Sequence, residues 1–558
     1  MSPDNVNREP SPCRKGEGCH VPLSNSRAAA QDLGGVSEGD RTGRADRVSR
    51  ENSRSASATQ PAGRGGDSTE PVRAAGVVGV PRSGNDPSES KTGGERRRGT
   101  WVNACGHSEG PADGRTEAET LFDRITTPPK VQKLQRTLYR KAKAEPGCRF
   151  YSLYGELLRR DVLETAMSAV AGNAGAAGVD GQECSAYTRS DEAWTQWRDR
   201  LLEELRTKTY RPSPVRRVRI PKGDGKTRPL GIPTVKDRVV QTAVAMLLLP
   251  VWEVDSHPQS YAYRPRRNAQ QAMDAIKTAL LSGRTEVIDA DLSGYFDSIP
   301  HRELLRLVAR RVSDGRILAL IKAWLRAPIV ARDPNTGRPT NTGNRRGTPQ
   351  GGVISPLLAN LYLNRLDWQV NERCELRPVL VRYADDFVIL SRPGQGPELQ
   401  ARLKRWLERN GLTLNETKTR TLDVRTEGFK FLGFGVSWRR GKSGRNYPHI
   451  EPHPKSQQKL RNKLREKLNH WTLWRSVEEV IPEVNRQLKG WGGYFHYANS
   501  TRVFDRLNRY AADRLQRWLW RKHGCREALW ARLPRRVLQE RYGLYRLPTR
   551  AAWTQARA

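Results

Sequence analysis

The sequence predicts an α+β fold with a separate helical C-terminal region and a disordered N-terminal tail. Three observations predict it. Beyond Pro214, short β-rich pieces alternate with helix-periodic segments; from Lys455 onward only helical spacing remains; and residues 1–118 are rich in Gly, Ser, Arg and Pro, with Trp101 as their sole aromatic. A segment of that composition cannot bury enough apolar surface to offset the entropy of ordering it.

The elements follow in order. KVQKLQRTLYRKAKAEPG (130–147) and FYSLYGELLRRDVLETAMSAVAG (150–172) set basic residues among apolar ones at helical spacing, which predicts amphipathic helices with a phosphate-facing side. VRRVRIPK (215–222), TEVIDADLS (285–293), VLVRYADDFVILS (379–391) and FKFLGFGVSW (429–438) have strand length and β-branched or aromatic content. RVVQTAVAMLLL (238–249) and LQARLKRWLERN (399–410) are helical segments between them. Further on, Leu460, Leu464, Leu468 and Trp471 fall on one face of an expected Lys/Arg-rich helix.

Charge narrows the function. In 558 residues, 98 Lys and Arg face 60 Asp and Glu, a formal net charge of +38, which points to a polyanionic partner, nucleic acid first. The charges of the leader are mixed, so the excess belongs to the folded part. Seven scattered cysteines form neither a disulfide framework nor paired CxxC zinc ligands, which implies a reducing, cytoplasmic setting. The longest apolar stretch, around Val239 to Val251, is broken by Gln241, Thr242 and Pro250, and the N-terminus lacks a basic-then-apolar signal pattern. Membrane and secreted classes are therefore not expected.

The sharpest chemical feature is the pair Asp385 and Asp386 between apolar strand residues. Carboxylates in that setting are costly unless a cation or water takes them up. A hairpin presenting both at its turn would set their oxygens at one point. The piece VIDADLSGYFDSI adds Asp289, Asp291 and Asp297, and alternation carries Asp291 to a strand's end. Two carboxylate clusters in so basic a chain suggest a hard cation such as Mg²⁺, which accepts oxygen ligands and brings phosphates with it. The matching chemistry is in-line displacement at phosphorus assisted by two metal ions. Taken alone, a DD pair is also what a solvated turn contains.

The pair does not stand alone. RPLGIPT (228–234), DLSGYFDSI (291–299), RGTPQGGVISPLLANLYLNRLD (346–367), RYADDF (382–387), GLTLNETKT (411–419) and FKFLGFGV (429–436) resemble, in this order, the ordered blocks of reverse transcriptases, in the variant of group II intron-encoded proteins. The resemblance covers roughly residues 120–525 and implies a right-hand polymerase with fingers, palm and helical thumb. It makes Asp291, Asp385 and Asp386 the catalytic triad that holds two Mg²⁺ ions, leaving Asp289 and Asp297 as neighbours. Lys222 and Arg228, in IPKGDGKTRPLGIP on an expected two-stranded finger, would grip the incoming triphosphate. Phe296 matches the aromatic that excludes a ribose 2′-hydroxyl, and Gln350 would contact nucleotide or template, with Gly351 and Gly352 allowing close backbone approach. Lys418 matches a lysine that protonates the leaving pyrophosphate.

QLKGWGGYFHY (487–497) resembles the signature of the maturase, or X, domain, and seven of the 15 tryptophans lie at or after Trp471 among Arg and Lys. That mixture suits stacking on unpaired bases beside phosphate contacts. Arg264, Lys489, Trp491 and Tyr494 are expected to bind nucleic acid. The block around residues 130–163 resembles the N-terminal extension of group II and related enzymes, and NAGAAGVDG (173–181) the start of the fingers. His523 and Cys525 are the last His and Cys, so the paired ligands of an HNH nuclease are not expected, and residues 526–558, with eight Arg and no Lys, are read as a DNA-binding remnant.

The expected organisation is a leader at 1–118, N-terminal extension at 119–180, fingers and palm at 181–440, thumb/maturase at 441–525 and a basic segment at 526–558. The expected function is an RNA-directed DNA polymerase of a mobile group II intron that also assists splicing. Intron RNA, target DNA and deoxynucleoside triphosphates are its expected partners, with no membrane, a cytoplasmic ribonucleoprotein as its setting and a homodimer as an open assembly. The alternatives are a retron-like, diversity-generating or defence-associated reverse transcriptase, or an RNA-binding splicing cofactor without polymerase activity.

Overall fold

The computed structural model describes residues 121, 127–221, 227–332, 339–524 and 534–549. The expected leader and Lys222 lie outside them, as does most of the basic C-terminal segment.

The centre of the first core is the helix Val235–Asp255. Thr234 caps it, its Oγ1 accepting from the Asp237 amide at 3.2 Å. The run VVQTAVAMLLL is apolar on every side because the helix is buried on every side. Helices Pro129–Ala144 and Arg160–Gly172 pack on it through Val131, Leu138, Val162, Leu163 and Met167, leaving their basic residues outside. Each such buried apolar side chain contributes about 2 kcal/mol.

Eleven strands of the described residues form three sheets. The first, in order β2-β1-β4-β5, pairs β1 (Val215–Pro221) antiparallel with β2 (Thr227–Ile232) and parallel with β4 (Ile329–Arg332), which pairs with β5 (Pro339–Thr342). The second is fully antiparallel, in order β6-β7-β3-β8: β3 is Glu286–Ala290, β6 Val379–Tyr383, β7 Asp386–Ser391 and β8 Arg420–Asp423. The third joins β9 (Phe429–Phe431), β10 (Phe434–Arg440) and β11 (Asn446–Pro452) in order β11-β10-β9.

The second sheet lies between two cores, and strand alternation shows it. Ile288, Ala290, Leu380, Phe387 and Ile389 face the core around Val235–Asp255; Val287, Val381, Val388 and Leu390 face a second core shared with helix Ala269–Leu281 and the C-terminal helices. That is why VLVRYADDFVILS reads as almost continuously apolar.

The C-terminal helices are Pro454–Lys467, Val477–Phe495 and Thr501–Lys522. They join the second core through Leu460, Leu464, Val484, Leu488, Phe504 and Trp518. Two hydrogen bonds fasten them to helix Ala269–Leu281: Gln270 Nε2 donates to the Tyr494 carbonyl at 2.7 Å, and the Tyr497 hydroxyl to Asp274 Oδ1 at 2.6 Å. One expectation fails here. Leu460, Leu464 and Leu468 are buried as the spacing predicts, but the helix ends at Lys467, and Trp471 sits in a short 3₁₀ turn, 76% exposed.

Candidate active site

Register brings the three aspartates to one place. Ala290 at the end of β3 pairs with Phe387 of β7, so Asp291, one residue on, falls opposite Asp386. Tyr383 pairs with Asp386 across the β6–β7 hairpin, leaving Ala384 and Asp385 as its two-residue turn. Ala384 adopts φ +63°, the left-handed geometry that the first position of such a turn requires, at a cost of about 1 kcal/mol for a residue with a Cβ. Asp289, Asp291 and Asp386 share the face of Val287 and Val388, at the edge where apolar cover stops.

Arg382 braces the turn from beneath. Its side chain is fully buried, with Nη1 donating to the Ala384 carbonyl at 2.9 Å and to Asn360 Oδ1 at 2.8 Å. Nη2 donates to Ser260 Oγ at 2.7 Å, and Nε and Nη2 grip the buried carboxylate of Asp367 at 2.8 and 2.5 Å. Three elements thus hold the turn: the segment Ser260–Tyr263, helix Ser355–Asn371 and β6 itself.

The acids disturb one another. Burial raises the Asp385 carboxyl, and burial, only incompletely offset by Arg420, raises that of Asp289. Asp386 is pushed up to about 6 by burial first and then by the charges of Asp385, Asp291 and Asp289. Arg228, exposed on β2, and buried Arg382 act in the opposite sense on Asp385. A carboxyl raised in the fold stabilises it only while protonated, so this contribution is present below the ordinary value of 3.8 and is lost as pH rises to about 6. We expect Asp386→Asn, in chelator, to melt higher than the parent at pH 7, with the gap closing towards pH 4. A gap independent of pH would remove the mutual repulsion from the account.

The GLTLNETKT block wraps around Asp291. Leu414 bridges Leu292, the Asn415 amide donates to the Asp291 carbonyl at 2.8 Å, and Asn415 Nδ2 donates to Asp291 Oδ2 at 3.0 Å. Lys418 Nζ also donates to Asp291 Oδ2, at 2.8 Å. Sequence reasoning singled out Lys418 but missed Asn415, although it stands in the same block.

The TPQGG loop docks on the finger strand. The Gly231 amide of β2 donates to the Gln350 carbonyl at 2.5 Å. Gly351, at φ +110°, lies so close that a Cβ there would meet the Gly231 oxygen at 2.3 Å, so the first of the two expected close approaches is to backbone. Gln350 itself is half-buried. Phe296 is half-buried too, its ring 5.6 Å from that of Tyr295 and its carbonyl accepting from the Thr348 amide at 2.7 Å.

Tyr263 was not anticipated. It is 41% exposed at φ +58°, and Asp385, Arg228 and Asp386 all act on its hydroxyl, whose pKa is raised chiefly by burial. A bulky residue held in the left-handed region beside carboxylates is the kind of strain that gathers at working sites. Nothing in local sequence periodicity signals it.

At three of the positions expected to contact nucleic acid, the side chains have partners within the protein. Arg264 is buried in an ion pair with buried Glu253, at 2.8 Å, and gives its remaining donors to the His257 and Ser260 carbonyls. Its hydrogen bonds are spent on the loop that carries Tyr263. Trp491 packs between Phe495 and Phe504 at 4.6 and 5.6 Å, and Tyr494 stacks on Phe434 while its hydroxyl donates to the Leu432 carbonyl at 3.0 Å. Trp491 thus meets helix Thr501–Lys522 and Tyr494 meets β10. Lys489 is exposed, its ammonium 5.6 Å from the Tyr545 ring. Arg264→Ala is expected to lose about 3 kcal/mol of stability, the cost of stranding a buried carboxylate, with RNA affinity of the folded protein unchanged. Weakened RNA binding at unaltered stability would reinstate the contact.

Hard oxygen donors crowded at a strand end suit a divalent cation. Among the described residues, no group of three acidic, His or Cys side chains is already arranged to hold one. Among those residues, too, no helix is long and apolar enough to cross a membrane.

A carboxylate-tipped antiparallel hairpin, an acid at the end of its neighbouring strand and a basic two-stranded finger define a template-copying nucleotidyltransferase. Comparison with known proteins agrees. Residues 220–436 match the family model for reverse transcriptase (RNA-dependent DNA polymerase), and residues 457–536 the group II intron maturase-specific domain. Protein YkfC of Escherichia coli is 34% identical over 353 residues, covering 56% of this chain and 90% of YkfC. Group II intron-encoded protein LtrA of Lactococcus lactis is 35% identical over 219 residues, 39% of this chain and 35% of LtrA. An uncharacterised 91 kDa protein in the cob intron of Schizosaccharomyces pombe is 27% identical, over 43% of this chain and 36% of that one. The chain thus spans nearly all of YkfC and about a third of each of the other two. It belongs to the group II intron-encoded reverse transcriptase and maturase family, whose members are RNA-directed DNA polymerases with an RNA-binding maturase domain. Reverse transcriptase domains as a class depend on divalent metal ions.

Proposed function

We propose that this protein copies the RNA of a mobile group II intron into DNA at a target site, and that it also binds that RNA to assist splicing. The observation that carries the polymerase reading is the meeting of Asp291 with the Asp385–Asp386 turn, directly braced by Arg382 and overlooked by Arg228.

Asp291, Asp385 and Asp386 are the residues that would hold two Mg²⁺ ions, which supply Lewis-acid stabilisation of the attacking and leaving oxygens. The chain's own groups do the rest. Arg228 faces the carboxylates from the finger strand and would neutralise the triphosphate by charge-assisted bonds, with Lys222 beside it in sequence. Lys418 sits on Asp291 through a largely exposed side chain and would be the acid that protonates the leaving pyrophosphate. Gln350, fixed to β2 by its own carbonyl, would bear on the nucleotide or template. Deoxynucleoside triphosphates, target DNA and intron RNA are the substrates on this reading.

Phe296 would admit deoxyribose and exclude ribose by bulk, a specificity made by obstruction rather than attraction. Phe296→Ala is then expected to raise ribonucleotide incorporation relative to deoxynucleotide by roughly a hundredfold, about 3 kcal/mol of lost discrimination. Unchanged selectivity in single-nucleotide extension would return Phe296 to a packing role. The reading as a whole is tested by primer extension on an RNA template with deoxynucleotides and Mg²⁺: product that depends on RNA and metal supports it, and absence of product from folded protein overturns it.

A further inference from the structure

The C-terminal helices bury most of their large aromatics, and two exceptions stand together. Trp471 is 76% and Trp474 81% exposed, in the segment that joins helices Pro454–Lys467 and Val477–Phe495. Exposing two indoles three residues apart is costly for a lone soluble surface.

The backbone under them is not slack. Thr472 Oγ1 donates to the Lys467 and Asn469 carbonyls at 3.0 and 2.9 Å and accepts from Trp518 Nε1 at 3.0 Å. Lys522 Nζ donates to the Leu473 and Arg475 carbonyls at 2.8 and 2.9 Å, and Arg514 Nη2 to that of Leu468 at 2.5 Å. Helix Thr501–Lys522 thus clamps the segment at its start, middle and end. The amides of Thr472, Leu473 and Arg475 each donate to the carbonyl three residues back. Trp471 lies in the 3₁₀ turn His470–Thr472 and Trp474 just beyond it, three residues on, the period of such a turn. The His470 ring lies 4.3 Å from that of Trp471 and extends the aromatic surface.

The surroundings select the occupant. Helix Pro454–Lys467 carries six Lys or Arg against one Glu, and helix Thr501–Lys522 seven against two Asp. An acidic polymer with flat apolar faces fits rings set among cations, whereas duplex RNA hides its base faces. We propose that Trp471 and Trp474 form a preorganised stacking site for two unpaired RNA bases, apart from the polymerase centre. This rests on the RNA-binding reading above and names which part of the surface grips unpaired nucleotides.

The test uses the full chain and three ligands: a labelled single-stranded RNA, the same RNA as a blunt duplex, and an RNA template with a DNA primer. Trp471→Ala/Trp474→Ala is expected to weaken single-strand binding by roughly tenfold or more per indole. Duplex affinity should hold, and so should the salt slope, because stacking releases no counterions. Trp471→Tyr/Trp474→Tyr should recover most of the loss, since a phenol also stacks. Unchanged single-strand affinity, an equal loss on duplex, or a lower solution mass in the alanine pair would each overturn the site, the last by showing an interface between copies of this chain. Extension of the primed template by the parent keeps the two failures apart: a parent that extends while the alanine pair binds normally sinks only the stacking site, and a parent that neither extends nor binds RNA sinks the functional reading itself.

Discussion

Asp385→Asn is expected to fold, to bind a primed RNA template and to extend the primer at least a hundred- to a thousandfold more slowly than the parent, the scale on which a lost transition-state electrostatic contact registers. Asparagine keeps the shape of the turn but removes a charged oxygen donor from a site whose chemistry needs hard anionic ligands. Stability should not fall, because burial and the charge of Asp291 both oppose ionisation of this carboxyl. A loss of extension on the same scale is expected for Asp291→Asn, with one difference. Asp291 is the residue to which Lys418 and Asn415 donate, so its amide also releases the block that wraps it. Near-parent extension rates by either variant, on folded protein, would remove that aspartate from the site.

The second large effect is expected at Arg382→Met, away from any metal. The Arg382–Asp367 pair is almost wholly removed from solvent, and deleting one partner leaves a buried charge alone, at a cost of about 3–5 kcal/mol. Arg382→Met should therefore unfold at markedly lower denaturant, and Asp367→Asn likewise. Arg382→Met/Asp367→Leu removes both charges and should regain much of that stability, as buried pairs replaced by apolar side chains do. Extension should not return with it, since the Ala384 carbonyl, Asn360 and Ser260 still lack their donor and the turn carrying Asp385 is unbraced. Full recovery of both properties in the double variant would reduce Arg382 to a filler of space.

Much of the fold was legible because apolar spacing follows which faces are covered. Strands in VLVRYADDFVILS and TEVIDADLS, and helices in RVVQTAVAMLLL and LQARLKRWLERN, are present at those places. The acids were legible for a related reason: charge among apolar strand residues is too costly to occur without a use. Less legible were groups whose role depends on neighbours distant in sequence. Asn415 lies 124 residues from Asp291, and Ser260 122 from Arg382, and no local pattern links either pair. Tyr263 owes its position to a left-handed backbone that its neighbours impose.

The aromatics and arginines of the chain show the division most clearly. By itself, the sequence determined the strand and helix periodicities, the excess of positive charge and the spacing that sets Asp291 at a strand's end and the Asp385–Asp386 pair at a hairpin. These depend on covalent order and on the fixed periods of helix and strand. That Asp385 is in the two-residue turn and Asp386 already in β7 came from the structure. Only the tertiary structure decided that Arg264 pairs with Glu253, that Trp491 and Tyr494 pack against other rings, and that Trp471 and Trp474 are left in solvent. A tryptophan or arginine has the same composition wherever it lies, and what it is free to bind depends on which of its faces the rest of the chain has already covered.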